Sequence, residues 1–262
     1  MLPRARILAA ALMSFPLLAQ LPAPNSTGVS MGHLHLTVSD VAASKQMFVQ
    51  AMGAEEVRSG RLDALKLPGV IVVLTKGAPG GGTDDSAVNH LGFLTRNLDE
   101  SRAKLTAAGG KVAREMPETR QMFVMFPDGV KVEFTEQTNL PVPIQHHHIH
   151  FATNDVEATR AWYVKLFGAV PGKRGRFEAA DVPGANLSFS PNPTATLPTK
   201  GRAMDHIGFE VKGLEAFCRK LEAQGVKFDM PYRQVPAIGL GIAFLTDPFG
   251  VRVELTEGLN KL

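Results

Sequence analysis

Four stretches of the chain open with alternating polar and apolar residues: "HLHLTVS" from His33, "NHLGFLT" from Asn89, "HIHFATN" from His148 and "DHIGFEV" from Asp205. Period-two alternation predicts half-buried strands. Each stretch runs into an amphipathic segment of helical period, such as "VAASKQMFVQAMG" or "LEAFCRKLEAQG". Asp40, Asn97 and Asp155 stand at expected N-caps, and Gly53, Gly109, Gly168 and Gly225 stand where the helices should end. Further strands, such as "RLDALKLP" and "VIVVLTK", close each unit. The predicted class is α+β, built from four βαβββ modules.

The chain also repeats itself on a longer scale. "HLHLTVSDVAASKQMFVQAMGAE" from His33 matches "HIHFATNDVEATRAWYVKLFGAV" from His148, and "FPDGVKVEFTE" from Phe126 matches "DPFGVRVELTE" from Asp247. Two homologous domains follow, residues 30–137 and 145–258, joined by "TNLPVPIQ". Modules can pair within each domain or exchange between domains, which would group His33 with His206 and Glu254, and His148 with His90 and Glu133; pairing within domains is favoured, because the linkers "GAPGGGTDDS" and "PNPTATLPTKG" let each module fold back on its predecessor at little closure entropy. The expected result is two domains, each of two paired modules.

Strand alternation gives these modules a chemical face, since side chains two apart point the same way. His33 and His35 oppose Leu34 and Leu36, His90 opposes Leu91, and Glu133 opposes Val132 and Phe134; His148, His150, His206 and Glu254 repeat the arrangement. The apolar side must meet the helices, so every candidate ligand lies on the other face. One such histidine is most simply a solvated strand residue. Two copies of His, His, Glu, namely His33, His90, Glu133 and His148, His206, Glu254, are better explained by divalent-metal sites. This donor set suits Fe(II) best and accepts Mn(II), Zn(II), Ni(II) or Co(II). His35 and His150 share the ligand face and are candidate acid–base groups. His146 and His147, at the domain entrance, are expected to be exposed, and Tyr232 and Arg233, in the longer loop of the second domain, are candidates to line its pocket.

Composition narrows the partners and the compartment. Arg4 and Arg6 precede the apolar run Ile7–Ala19, which is too short for a membrane span and reads as a signal peptide cut after about Ala19, implying a periplasmic or secreted protein with no membrane association afterwards. Without those two arginines the basic residues nearly balance the 25 acidic ones, and no basic cluster offers nucleic acid a surface. Cys218 is alone, on the apolar side of a helix, and reads as a small buried hydrophobe. The oligomeric state is left open.

Paired βαβββ modules with "H-x-h-x-x-x-x-D" openings, central "H-h-G-F" strands and closing "D-P-x-G-x-x-x-E" or "P-D-G-x-x-x-E" strands resemble the vicinal-oxygen-chelate superfamily of glyoxalases, bleomycin-resistance proteins and extradiol dioxygenases. The resemblance implies cupped sheets around a metal, with the first-strand His on His33 and His148, the second-module His on His90 and His206, and the closing Glu on Glu133 and Glu254. It also implies a small-molecule substrate with adjacent oxygens. Two departures shape the expected chemistry. The glyoxalase-type lyases carry a fourth, acidic ligand where this chain has "VIVVLTK" and "ANLSFSP". The ring-cleaving dioxygenases carry a His and a Tyr where this chain has no His and has Phe244, matched by Phe123. The expectation is a metal-dependent, dioxygenase-like enzyme. A lyase or isomerase, or a metal-free drug-sequestering protein, are the alternatives.

Overall fold

A computed structural model describes residues 21–192, 194 and 196–262. The expected signal peptide lies outside the described residues. The first module comprises β1 (Val29–Val38), α1 (Val41–Lys45, continued as a π-helical turn through Gln46–Ala51), β2 (Glu55–Ser59), β3 (Leu62–Leu67) and β4 (Val70–Lys76). The second holds β5 (Val88–Thr95), α2 (Leu98–Ala107), β6 (Lys111–Met116), β7 (Gln121–Met125) and β8 (Lys131–Glu136). The third holds β9 (Ile144–Thr153), α3 (Val156–Phe167), β10 (Val170–Arg174), β11 (Phe177–Val182) and β12 (Ala185–Pro191). The fourth holds β13 (Met204–Val211), α4 (Leu214–Ala223), β14 (Met230–Val235), β15 (Leu240–Thr246) and β16 (Arg252–Glu257).

The local signals act as expected. The carboxylate of Asp40 accepts from Ala42 N and Ala43 N, that of Asp155 accepts from Ala158 N, and the side chain of Asn97 accepts from Glu100 N. The exception is α4, whose N-cap is Gly213 in a left-handed conformation; there the carboxylate of Glu257 accepts from Gly213 N and Leu214 N instead.

Module pairing differs from expectation. The strands form two eight-stranded sheets, β14-β15-β16-β13-β1-β4-β3-β2 and β10-β11-β12-β9-β5-β8-β7-β6. The first module therefore pairs with the fourth through antiparallel β1 and β13, and the second pairs with the third through β5 and β9. Pairing within each sequence domain is overturned, and each domain gives one module to each sheet. The physical reason lies in the connections. The segment from β8 to β9 is shorter than those from β4 to β5 or β12 to β13, so the second and third modules close at least as cheaply as any other pair. Bringing the first module to the fourth adds an entropy that grows only logarithmically with length. The two module linkers become crossing straps that bond to each other, with Ala87 N on Leu197 O, Leu197 N on Asp85 O and Ala203 N on Gly81 O, all at 2.8–2.9 Å.

The helix-bearing faces of both sheets meet in one core. Phe48 lies 5.4 Å from Phe126, Phe167 lies 4.9 Å from Phe209, and Leu34, Leu91, Ile149 and Ile207 are fully buried there. Cys218 belongs to this core. The opposite, concave faces point away from each other and carry the histidines. Among the described residues no helix is long and apolar enough to cross a membrane.

Candidate functional site

Each sheet brings one His, His, Glu set together, with members exchanged relative to the expected grouping. In the sheet of the first and fourth modules, His33 Nε2 and His206 Nε2 each stand 2.9 Å from Glu254 Oε2. In the sheet of the second and third, His90 Nε2 stands 3.0 Å from Glu133 Oε2, while His148 Nε2 stands 3.4 Å from His90 Nε2 and 3.6 Å from Glu133 Oε2. His33 thus joins His206 and Glu254, and His148 joins His90 and Glu133. The expected sets His33, His90, Glu133 and His148, His206, Glu254 do not form, because each domain's two modules lie in different sheets.

These separations fit an ion. Donors about 2.1 Å from a metal in neighbouring coordination positions stand roughly 3.0–3.4 Å apart. The outer ring nitrogens point the same way. His206 Nδ1 donates to Asp205 Oδ1 at 2.6 Å. His90 Nδ1 donates to Asn89 Oδ1 at 2.9 Å, and the Asn89 amide is oriented by Nδ2 donating to Asp84 O. With Nδ1 carrying the proton, the neutral His90 ring turns its Nε2 lone pair toward the buried Glu133 carboxylate, an arrangement that a cation between them resolves.

Glycine makes room for the first-strand rings. A Cβ on Gly208 would stand 2.0 Å from His33 Cε1, and one on Gly92 would stand 1.9 Å from His148 Cε1. The "H-h-G-F" strand thus supplies one ligand and, two residues on, the space for another.

The electrostatics follow from burial. Burial alone would raise the Glu133 and Glu254 carboxyls, but the neighbouring imidazoles outweigh it and hold both well below the usual carboxylate range. Burial pushes His148 down to about 3 and lowers His90, leaving neutral rings at physiological pH. His206 moves upward, because Asp205 and Glu254 together overcome its burial. The Asp205/Asn89 exchange thus separates the two sites.

His35 and His150 occupy matching places. His35 stacks on His206 at 4.3 Å with Nε2 2.8 Å from Thr75 Oγ1; His150 stacks on His90 at 4.4 Å with Nε2 2.5 Å from Ser190 Oγ. Burial and neighbouring histidines push them to about 3 and about 2. Two other expectations need correction. His146 is fully enclosed, with Nδ1 on Gly184 O and Phe93 against its ring, and His147 is half-buried with Nδ1 3.0 Å from His148 Nδ1. Tyr232 packs toward the helix-side core, away from the second pocket.

The surroundings of the two sets differ. Beside His33, His206 and Glu254 the concave face is filled by Ala64, Ile71, Val73, Leu240, Ile242, Phe244 and Leu259. Its mouth is tied shut: Ser59 Oγ donates to Ile238 O, Arg61 N to Ala237 O, and Lys66 Nζ to Leu262 O. Beside His90 and Glu133 a cavity of about 600 Å³ opens instead, lined by Phe123, His150, Arg174, Phe177 and Gln121 among others. Sequence reasoning missed Arg174 and Gln121. The available signal was that the repeat has Ser59 and Ile242 at the matching register positions, opposite Leu62 and Thr256 as Arg174 and Gln121 are opposite Phe177 and Thr135.

Comparison with known proteins agrees with this architecture. A crystal structure of glyoxalase I from Zea mays matches at a TM-score of 0.71 and 18% identity, covering 89% of this chain and 94% of that one. A putative dioxygenase from Bacillus subtilis matches at a TM-score of 0.69 and 13% identity, covering 91% of this chain and 86% of that one. At these identities the likeness shows a shared fold. No curated protein matches the sequence. The family model described as "Glyoxalase/Bleomycin resistance protein/Dioxygenase superfamily" matches residues 30–134 and 145–255, and by that span the chain belongs to this superfamily.

Proposed function

We propose that the chain is an exported, metal-dependent enzyme acting on a small molecule with adjacent oxygens, in the manner of a dioxygenase, and that its working site is the open cup of the second and third modules. The observation that carries this is the convergence of His90, His148 and Glu133 beside the 600 Å³ cavity. These three residues would hold the metal. A divalent ion there supplies Lewis-acid polarisation of substrate oxygens and, if iron, access to dioxygen chemistry.

The chain's own residues contribute positioning. Asn89 and His147 fix the two imidazoles from behind, and Gln121 and Thr135 bond to Glu133 Oε1 and leave Oε2 facing the ligand point. His150 lines the cavity and is the acid–base candidate at this site; His35 is its counterpart in the filled cup. The strands β4 and β12 present Thr75 and Ser190 toward His35 and His150, with no acidic side chain at those places. That favours a three-ligand site with open positions over a four-ligand lyase site. Fe(II) suits the donor set best. Export before residue 20 would place this chemistry in the periplasm or outside the cell.

Metal analysis tests the reading. Glu133→Ala and Glu254→Ala should each remove about one equivalent, because two neutral imidazoles hold most divalent ions weakly. Unchanged metal content in both variants would leave a merely buried polar cluster.

A further inference from the structure

The chemistry of the open cup extends beyond its candidate ligands. Arg114, Arg174 and Arg176 line the cavity together, and Glu133 is the single acidic residue of its lining. Glu133 is already engaged by His90, Thr135 and Gln121, so the cavity carries a surplus of positive charge that a metal ion would increase. Arg174 is anchored: its Nε donates to Ser188 Oγ at 2.8 Å, and Ser188 donates to Asn186. Its guanidinium also reaches 3.5 Å from Glu133 Oε1 and 3.4 Å from His150 Nδ1, so it spans the ligand set and the free space. Arg176 lies over the Phe177 ring at 5.1 Å, an arrangement that aims a guanidinium while covering apolar surface.

The repeat serves as an internal control. The position of Arg174 is Ser59 in the filled cup, and the position of Arg114, opposite Phe123, is Met230, opposite Phe244. Both exchanges accompany the opening of the cavity. Arg176 has Arg61 at its place in the filled cup, where the mouth is tied by Arg61 N on Ala237 O, so the exchanges at Arg174 and Arg114 are the ones that mark the open cup. Guanidinium groups gathered at a cavity beside a metal point suit a planar oxyanion, which they bind through paired N–H bonds.

We infer that the open cup selects a small oxyanionic substrate, with Arg174, Arg176 and Arg114 holding its negative group while its adjacent oxygens face His90, His148 and Glu133. This rests on the metal reading above for the second half of the contact and not for the first. The remaining lining, Phe123, Phe177 and Met116, accommodates an apolar body.

Calorimetric titration of the full chain with oxalate, after metal stripping and again after loading with Zn(II), tests the inference. Arg174→Lys should weaken oxalate about tenfold, the scale of a charge-assisted paired hydrogen bond, and the double variant Arg114→Gln, Arg176→Gln about fivefold or more, in both states of the protein. Affinities within twofold of the parent, or no oxalate binding at millimolar concentration, would overturn it. Failure of the metal reading looks different: the parent takes up no Zn(II), while the arginine dependence of oxalate binding survives in the stripped protein.

Discussion

The two cups are built from the same repeat and carry the same donor atoms, yet one is filled and the other is open. In the filled cup Ile71, Val73 and Ile242 occupy the concave face, and the turn at Pro236–Ile238 seals the mouth against Ser59 and Arg61. In the open cup the matching positions are Asn186, Ser188 and Gln121, and the mouth is lined by Arg174, Arg176 and Thr119. A handful of apolar-to-polar exchanges on alternate strand positions converts a closed hydrophobic cluster into a cavity, while the ligand strands stay unchanged. Under the metal reading proposed above, the duplication separates holding an ion from presenting it to substrate: the filled cup suits the first task and the open cup both.

The sharpest way to break this comparison is to crowd the first-strand ligand in each cup. Gly92→Ala and Gly208→Ala each place a Cβ inside the van der Waals radius of an imidazole, His148 or His33. Each should reduce metal affinity at its own site on the order of 100-fold, the upper end of what misaligned ligands cost. The stability responses should differ. Both rings are buried, but the cup of His148 holds a cavity that can take up displaced side chains, whereas the cup of His33 is filled by an apolar cluster, so Gly208→Ala should lower the thermal midpoint more. Metal titration and thermal unfolding of both variants measure this, and equal midpoints would mean that the filled cup is looser than its packing implies.

A smaller effect separates the cups without touching a ligand. Ile242 is 7% exposed within the apolar cluster, so Ile242→Ala should cost about 2–4 kcal/mol in unfolding free energy. Gln121, half-buried at the cavity edge, should cost less than about 1 kcal/mol as Gln121→Ala. Denaturant titration reads both. Similar losses would make the open cup a packed region and remove the basis for a substrate cavity.

Much of this was legible in the chain. Alternation in "HLHLTVS" and "DHIGFEV" set which face each histidine takes, and Asp40, Asn97 and Asp155 marked helix starts that the structure keeps. Which glutamate each histidine meets was not legible, because alternation fixes a face and not a neighbour. Register between distant strands is settled by the shared core under both sheets, where Phe48 meets Phe126 across the two modules. The burial of His146 escaped for a similar reason: its backbone N bonds to Pro68 O of the first module, a contact between sheets that local pattern does not carry. Arg174 and Arg114 were visible only as differences between repeats, once the strands could be aligned by their partners, and Arg176, which matches Arg61, not even as that.

The smallest effect concerns a core position at which the repeats exchange an apolar pair for a polar one. Phe126 N bonds to Val130 O and Asp247 N to Val251 O, so the two residues occupy the same turn. Phe126 packs on Phe48, whereas Asp247 accepts from the Tyr163 hydroxyl at 2.9 Å and from Phe249 N and Val251 N. Burial pushes the Asp247 carboxyl up to about 6 from 3.8. A carboxyl raised on folding binds more protons in the folded state between those two values, so stability is greatest below about pH 4 from this group, falls as pH rises through 4 to 6, and is flat above. Asp247→Asn keeps an acceptor for the two backbone N–H groups and turns its amide toward the Tyr163 oxygen, and it carries no charge at any pH. The stability of the variant relative to the parent should therefore improve by on the order of 2 kcal/mol between pH 4 and pH 7. Denaturant unfolding at both pH values measures the difference. A gap independent of pH would mean that Asp247 ionises as freely as an exposed carboxyl, and that the two repeats differ at this turn in shape but not in charge.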